Sequence, residues 1–149
     1  MTKLSKHFSD WELLSPKLLD AINLRGVPVT WYIPDECINA LEDIRTYFNT
    51  PVICNVDLGL ADKYNFIRTM FKRGICSDQE CLEVGRKLTT QHRVAAFDIT
   101  VIGVNPTIVG EYIRSIVNTY KIRGMGVNVD KNFIHIDWRN SEELIEWKY

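Results

Sequence analysis

The chain has 149 residues, 46% of them hydrophobic and 25% charged, with a formal net charge of -1. That length can bury one core without a disulfide or a metal, and the mixed charges form no basic stripe for nucleic-acid phosphates. The longest apolar runs fall far short of the roughly 18 residues a membrane helix needs, and "MTKLSKHFSDWELL" lacks the apolar core of a signal peptide.

No repeats, low-complexity tracts or Pro/Gly/Ser linkers divide the chain, so residues 1–149 read as a single domain. "HFSDWELLSPKLLDAI" predicts two short helical pieces. Ser9 and Asp10 cap the first, and Ser15 with Pro16 opens the second. "VTWYI" is a short strand or extended segment. "PDECINALEDIRTYFN" predicts a helix whose buried face is Ile38, Leu41, Ile44, Tyr47 and Phe48. "TPVICNV" then reads as a strand. Residues 57–90 are expected to form a long irregular loop with a possible helix at "DQECLEVGRKL". Of the cysteines at 37, 54, 76 and 81, only Cys76 and Cys81 are close, and no second pair completes a zinc knuckle. Reduced thiols are the expectation.

The second half has clearer patterning. In "AAFDITVIGV", Phe97, Ile99 and Val101 point one way and Asp98 and Thr100 the other. Asn105 and Pro106 start a helix with the face Ile108, Val109, Tyr112, Ile113, Ile116, Val117 and Tyr120. "GMGVNV" and "NFIHIDW" are two strands joined by a turn at Asp130–Lys131. "SEELIEWKY" predicts a short helix capped by Ser141. The fold class is therefore α+β, with a small, mainly antiparallel sheet and helices packed on one face.

Three polar side chains stand out against this pattern. Ile134, Ile136 and Trp138 share one face of their strand, while Phe133, His135 and Asp137 share the other, which suits the floor of a cleft. If the two strands are neighbours, Asp98 meets His135, and His92, just before the earlier strand, can fold back over Asp98. Two imidazoles and one carboxylate are the ligands of a catalytic zinc that keeps its fourth position for water. The same residues also read as an ordinary satisfied pair on a strand, and spacing alone leaves both readings open.

"TQHRVAAFDITV" taken with "GMGVNVDKNFIHIDWR" resembles the zinc D-alanyl-D-alanine carboxypeptidase and murein endopeptidase family, which includes phage endolysins. That family carries Ser-x-His-x-x-Gly-x-Ala-x-Asp, then Gly-x-Gly, then Phe-[Ile/Val]-His-[Ile/Val]-Asp-x-Arg. Gly124, Gly126, Phe133, Ile134, His135, Ile136, Asp137 and Arg139 match the later part, and "FSDWELLSP" and "LEDIRTYFNTPVICN" are similar to the opening elements. The resemblance covers most of the chain outside residues 57–88. It implies Zn2+ held by His92, Asp98 and His135 in a cleft on the sheet face away from the helices. Asp137 would pair with Arg139 or steady a ligand, and the substrate would be a peptidoglycan peptide.

The chain departs from that pattern in places. His92 and Asp98 are six apart where the family has seven, Val94 stands for the glycine and Thr90 for the serine. Asn132 occupies the usual position of the general base, and Asp130 is the nearest carboxylate before His135. The family's Ser-Gly-Tyr-Arg segment is absent, which makes Arg68 the candidate oxyanion-stabilising cation. Two functions follow as expectations. One is a zinc peptidase, phage-encoded, held in the host cytoplasm before lysis or carried in the virion. The other is a peptidase fold without catalysis that serves as a virion or tail component among phage structural proteins, or as a cell-wall-binding module. Neither involves nucleic acid or membrane.

Overall fold

Ser9 opens the first helix, α1 (Asp10–Leu13), with a reciprocal arrangement: its backbone N–H donates to Glu12 Oε2 at 2.7 Å. The structure, a computed structural model, describes residues 3–14, 16, 19, 20, 23, 33, 35–55 and 96–149. The second helical piece, the "VTWYI" segment and the loop expected over 57–90 lie mainly or wholly outside the described residues. Among the described residues, no helix is long and apolar enough to cross a membrane.

Helix α2 (Asp35–Phe48) buries Cys37, Ile38, Ala40, Leu41 and Ile44. Tyr47, expected on that face, is instead 61% exposed, because it belongs to the neighbouring stripe with Asp43. Burial pushes the Cys37 thiol far above its ordinary pKa, as expected for a small residue used as core packing. Strand β1 (Val52–Cys54) follows, and β2 (Ala96–Val101) buries Phe97, Ile99 and Val101 in the expected alternation.

Helix α3 (Pro106–Tyr120) begins where Asn105 Oδ1 accepts from Thr107 N at 2.9 Å and Pro106 takes the first turn. It ends at Lys121, whose φ of 59° is left-handed. Val109, Ile113, Ile116 and Val117 are buried as expected, but Ile108 is exposed, one position round the helix from that stripe. Gly110 lets α3 approach the sheet closely. A Cβ there would stand 3.2 Å from a Val127 methyl.

Strands β3 (Gly124–Asn128) and β4 (Phe133–Asp137) form the expected hairpin. The sheet order is β1-β2-β4-β3-β5, antiparallel except for the last pair, so the α+β architecture is as expected. The expected C-terminal helix is not formed. Ile145–Lys148 is strand β5, parallel to β3, and Ser141 Oγ donates to Glu143 O at 2.7 Å rather than capping a helix. The free edge of β3 decides this. Arg123 O accepts from Ile145 N at 2.8 Å and Val127 O from Tyr149 N at 3.2 Å, partners that a one-turn helix lacks.

These pairings divide the sheet. Phe97, Ile99, Met125, Val127, Ile134 and Ile136 face the helices and form the core. Trp138 sits at its margin, donating from Nε1 to Tyr120 O at 2.8 Å. The opposite face carries Asp98, Gly124, Gly126, His135, Asp137 and Trp147.

Candidate functional site

Register places one row of residues across four strands on that opposite face. Asp98 pairs with His135, His135 with Gly126, and Gly126 with Trp147. The juxtaposition expected from strand alternation is therefore made: His135 Nδ1 lies 2.9 Å from Asp98 Oδ1. Its Nε2 lies 2.7 Å from Asp137 Oδ2. With a proton on each nitrogen, the imidazole donates to both carboxylates.

Asp137 is clamped in turn by Arg139. The guanidinium donates from Nε to Oδ1 at 2.8 Å and from Nη2 to Oδ2 at 2.7 Å, and the Arg139 backbone N–H adds a bond at 3.1 Å. This is the two-pronged arginine–carboxylate geometry that fixes both partners. Asp137 thus pairs with Arg139 and also hydrogen-bonds His135.

The electrostatics follow from burial and partners. Burial alone would lift the Asp137 pKa, but the bonds from Arg139 and His135 hold it down at about 2. Burial opposes charge on His135, yet the Asp137 and Asp98 carboxylates outweigh it and its pKa is raised. His135 and Asp137 are both fully buried, while the Asp98 side chain keeps 14% exposure. The cluster therefore opens to its surroundings at Asp98 and at Arg139, whose side chain keeps 27% exposure.

The Gly-x-Gly of β3 has a physical explanation here. A Cβ on Gly124 would stand 2.3 Å from both Asp137 oxygens, and one on Gly126 would stand 2.3 Å from Trp147 Nε1. The missing side chains make room for a carboxylate and an indole. Trp147 lies with its ring centre 5.3 Å from that of His135, and Arg139 Cζ is 5.0 Å from the indole centre. Trp147 Nε1 is buried and finds no acceptor at hydrogen-bond geometry among the described residues. Tyr149 continues the same face, its ring 5.4 Å from Phe133. Its phenol pKa is raised, by burial and by the Asp98 and Asp137 charges, against an opposing pull from the indole.

Trp147 and Tyr149 were not foreseen at the site, because a C-terminal helix would have turned them elsewhere. The alternation of Ile145, Trp147 and Tyr149 against Glu146 and Lys148 is the signal that finds them. Asp130 is exposed in the β3–β4 turn and makes no hydrogen bond or ion pair to the cluster. Asn132 also belongs to that turn. Its φ is 55°, a left-handed conformation that asparagine accepts and a glutamate disfavours. His92 and Arg68 lie outside the described residues.

Donor chemistry tests the fit of a divalent cation. Asp98 Oδ1 and His135 Nδ1 face each other, and the other ring nitrogen is tied to a carboxylate, the usual support of a metal-binding histidine. By donor type alone, a carboxylate oxygen and an imidazole nitrogen are compatible with a zinc ion. Among the described residues no group of three His, Cys, Asp or Glu side chains could hold a metal ion, and His92, the third ligand expected from the sequence, lies outside them. No family model matches the chain, and no curated protein or solved structure matches it.

Proposed function

We propose that this chain is a zinc-dependent peptidase-like domain acting on the stem peptides or cross-links of peptidoglycan. One observation carries the reading. A carboxylate and an imidazole from neighbouring strands face each other at 2.9 Å, with the imidazole's far nitrogen fastened to Asp137. Asp98, His135 and His92 would hold Zn2+, which when bound lowers the pKa of a coordinated water toward neutrality.

The chain's own residues then have defined tasks. Asp137 accepts from His135 Nε2, so Nδ1, which faces Asp98, is the ring nitrogen that would hold the cation. Arg139 balances the Asp137 charge and locks its rotamer. Trp147 closes the β5 side of His135 against water, while Asp98 marks the accessible side. Asp130 is assigned the role of proton acceptor and Arg68 that of the cation facing the developing oxyanion. A phage would be the natural bearer of such a domain, free in the host before lysis or built into its particle beside structural proteins.

The experiment is zinc per chain by elemental analysis of protein purified without a metal-binding tag, beside His92→Ala and His135→Ala. About one zinc in the wild type and none in either variant is expected from a three-ligand site. Zinc-loaded protein should then release peptides from peptidoglycan, and Asp130→Asn should stop turnover while keeping zinc. Full zinc in His135→Ala would refute the assignment.

A second reading is favoured by a different observation. Both ring nitrogens of His135 already have carboxylate partners, so the cluster is satisfied without a metal. On that reading the fold has lost catalysis and binds cell wall or serves in a virion. No zinc after addition of excess metal, with the fold intact, would select it.

A further inference from the structure

Helix α2 carries a second stripe beside its buried face. Asn39, Glu42, Asp43, Thr46 and Tyr47 recur at helical spacing and, with Tyr112 and Tyr120 of α3, line an open groove of about 620 Å³. That lies within the roughly 300–1,000 Å³ of small-molecule sites. The helices cover the Ile134/Ile136 face of the sheet, so the groove is distinct from the His135 cluster on the other face.

The groove is built before any ligand arrives. Tyr47 stacks on Tyr112 with ring centres 3.7 Å apart and planes 14° from parallel, and the edge of Phe48 braces Tyr47 at 4.8 Å. The Tyr112 hydroxyl donates to Asp43 Oδ1 and that of Tyr120 to Oδ2 at 2.6 Å. Glu42 accepts from Ser5 Oγ at 2.5 Å, His7 N at 2.6 Å and His7 Nδ1 at 2.8 Å. What remains open is the outer face of Tyr47, the second lone pairs of Asp43, and the exposed side chains of Asn39 and Thr46, which make no hydrogen bond among the described residues.

These features select a ligand class. No lysine or arginine lines the groove among the described residues, and two carboxylates do, which disfavours phosphates and carboxylates. The parallel stack offers one flat face rather than the several rings that enclose an ammonium group. A flat apolar face ringed by hydrogen-bond acceptors and one amide suits a molecule with a C–H face and a rim of hydroxyls.

We propose that the α2–α3 groove binds a sugar ring of a neutral glycan, laid on Tyr47 with its hydroxyls directed to Asp43, Asn39 and Thr46. The site stands whether or not the opposite face of the sheet holds zinc. As an anchor it would hold the domain to a polysaccharide while leaving the His135 face free.

The test is a titration of the full chain, isotope-labelled, with N-acetylglucosamine trimer, glucose trimer, arginine amide and inorganic phosphate, following backbone amide shifts. A saturable response to one glycan is expected, confined to 39–47 and 112–120. Tyr47→Ala should weaken it about tenfold, the contribution of one aromatic contact, and Tyr47→Phe should retain it. Tyr47 is exposed, and an unchanged melting temperature will show that the variant folds. Asn39→Ala and Thr46→Ala provide a second, independent pair of exposed substitutions that should each weaken binding. No response to either glycan, a response to arginine amide or phosphate alone, or full glycan binding by Tyr47→Ala would overturn the proposal.

Discussion

Trp147 occupies the space that a side chain at Gly126 would fill. Its Nε1 is 2.3 Å from the position of an added Cβ, although the two residues lie 21 positions apart on the only parallel strand pair described. This fit of shape adds to the backbone pairing of β5 with β3 and to the Arg139–indole contact. Gly126→Ala should displace the indole and cost about 1–3 kcal/mol, the usual range for overpacking. Gly126→Ala with Trp147→Ala should lose less than the two single changes summed, a coupling that a urea-denaturation double-mutant cycle measures.

Gly124→Ala acts on a different partner. Its Cβ meets the Asp137 carboxylate, so the expected loss is of the His135 and Arg139 bonds rather than of packing. It should destabilise the chain by several kcal/mol, because a buried carboxylate is left partly unpaired. A change in the His135 ring-nitrogen chemical shifts by NMR would report the broken bond.

The pKa directions set a pH window for the metal-free protein. His135 is raised above its ordinary value near 6.5, so its contribution is complete below that pH and fades as pH climbs through the folded value. Asp137 is held down at about 2 from 3.8, so its contribution is complete above pH 3.8 and fades as pH falls toward 2. Stability from the cluster should therefore peak between these limits in chelator-treated protein. His135→Gln should flatten the alkaline limb of a stability–pH curve and leave the profile of sites elsewhere unchanged.

Metal binding, in the proposed reading, runs the other way with pH. A cation on Nδ1 must displace the proton that bridges to Asp98, so zinc affinity should rise as pH passes through the raised His135 value. Competition titration with a chelating dye at pH 6 and pH 8 checks the slope. A flat profile would argue against His135 as ligand.

Asp43 links the two helices through phenols, and their titration reports it. The Tyr120 phenol is pushed up to about 12 by its bond to Asp43 and by burial, and that of Tyr112 is raised by burial and by its bond to Asp43. Asp43→Asn should bring both back toward the ordinary tyrosine value, read as an earlier rise in phenolate absorbance on alkaline titration.

Much of this fold was legible in the residues. β2 and β4 alternate cleanly, so the meeting of Asp98 and His135 followed from pleat and chain order. The β3–β4 hairpin and the Asn105–Pro106 helix start carried local chemistry that needs no tertiary context. The residues of β5 read as a helix, because "SEELIE" carries the Ser and Glu residues of a helix start that outweigh the short alternation after it, and their strand pairing depends on the distant free edge of β3. Tyr47 and Ile108 were misplaced for a related reason: apolar type does not decide which of two adjacent helical stripes a neighbour covers. The approach of Asp137 to both His135 and Arg139 needed side-chain geometry that spacing cannot supply, and His92 and Arg68 lie outside the described residues.

Cys37, wholly enclosed in α2 with its thiol held neutral, lends the molecule an internal clock. Alkylating reagents attack thiolates, so modification of this residue in the native state must wait for the helix to lift from its bed. The rate of its labelling in peptide mass spectra would time that opening, and slowing of the rate on saturation with a candidate ligand would reveal binding without any assay of turnover.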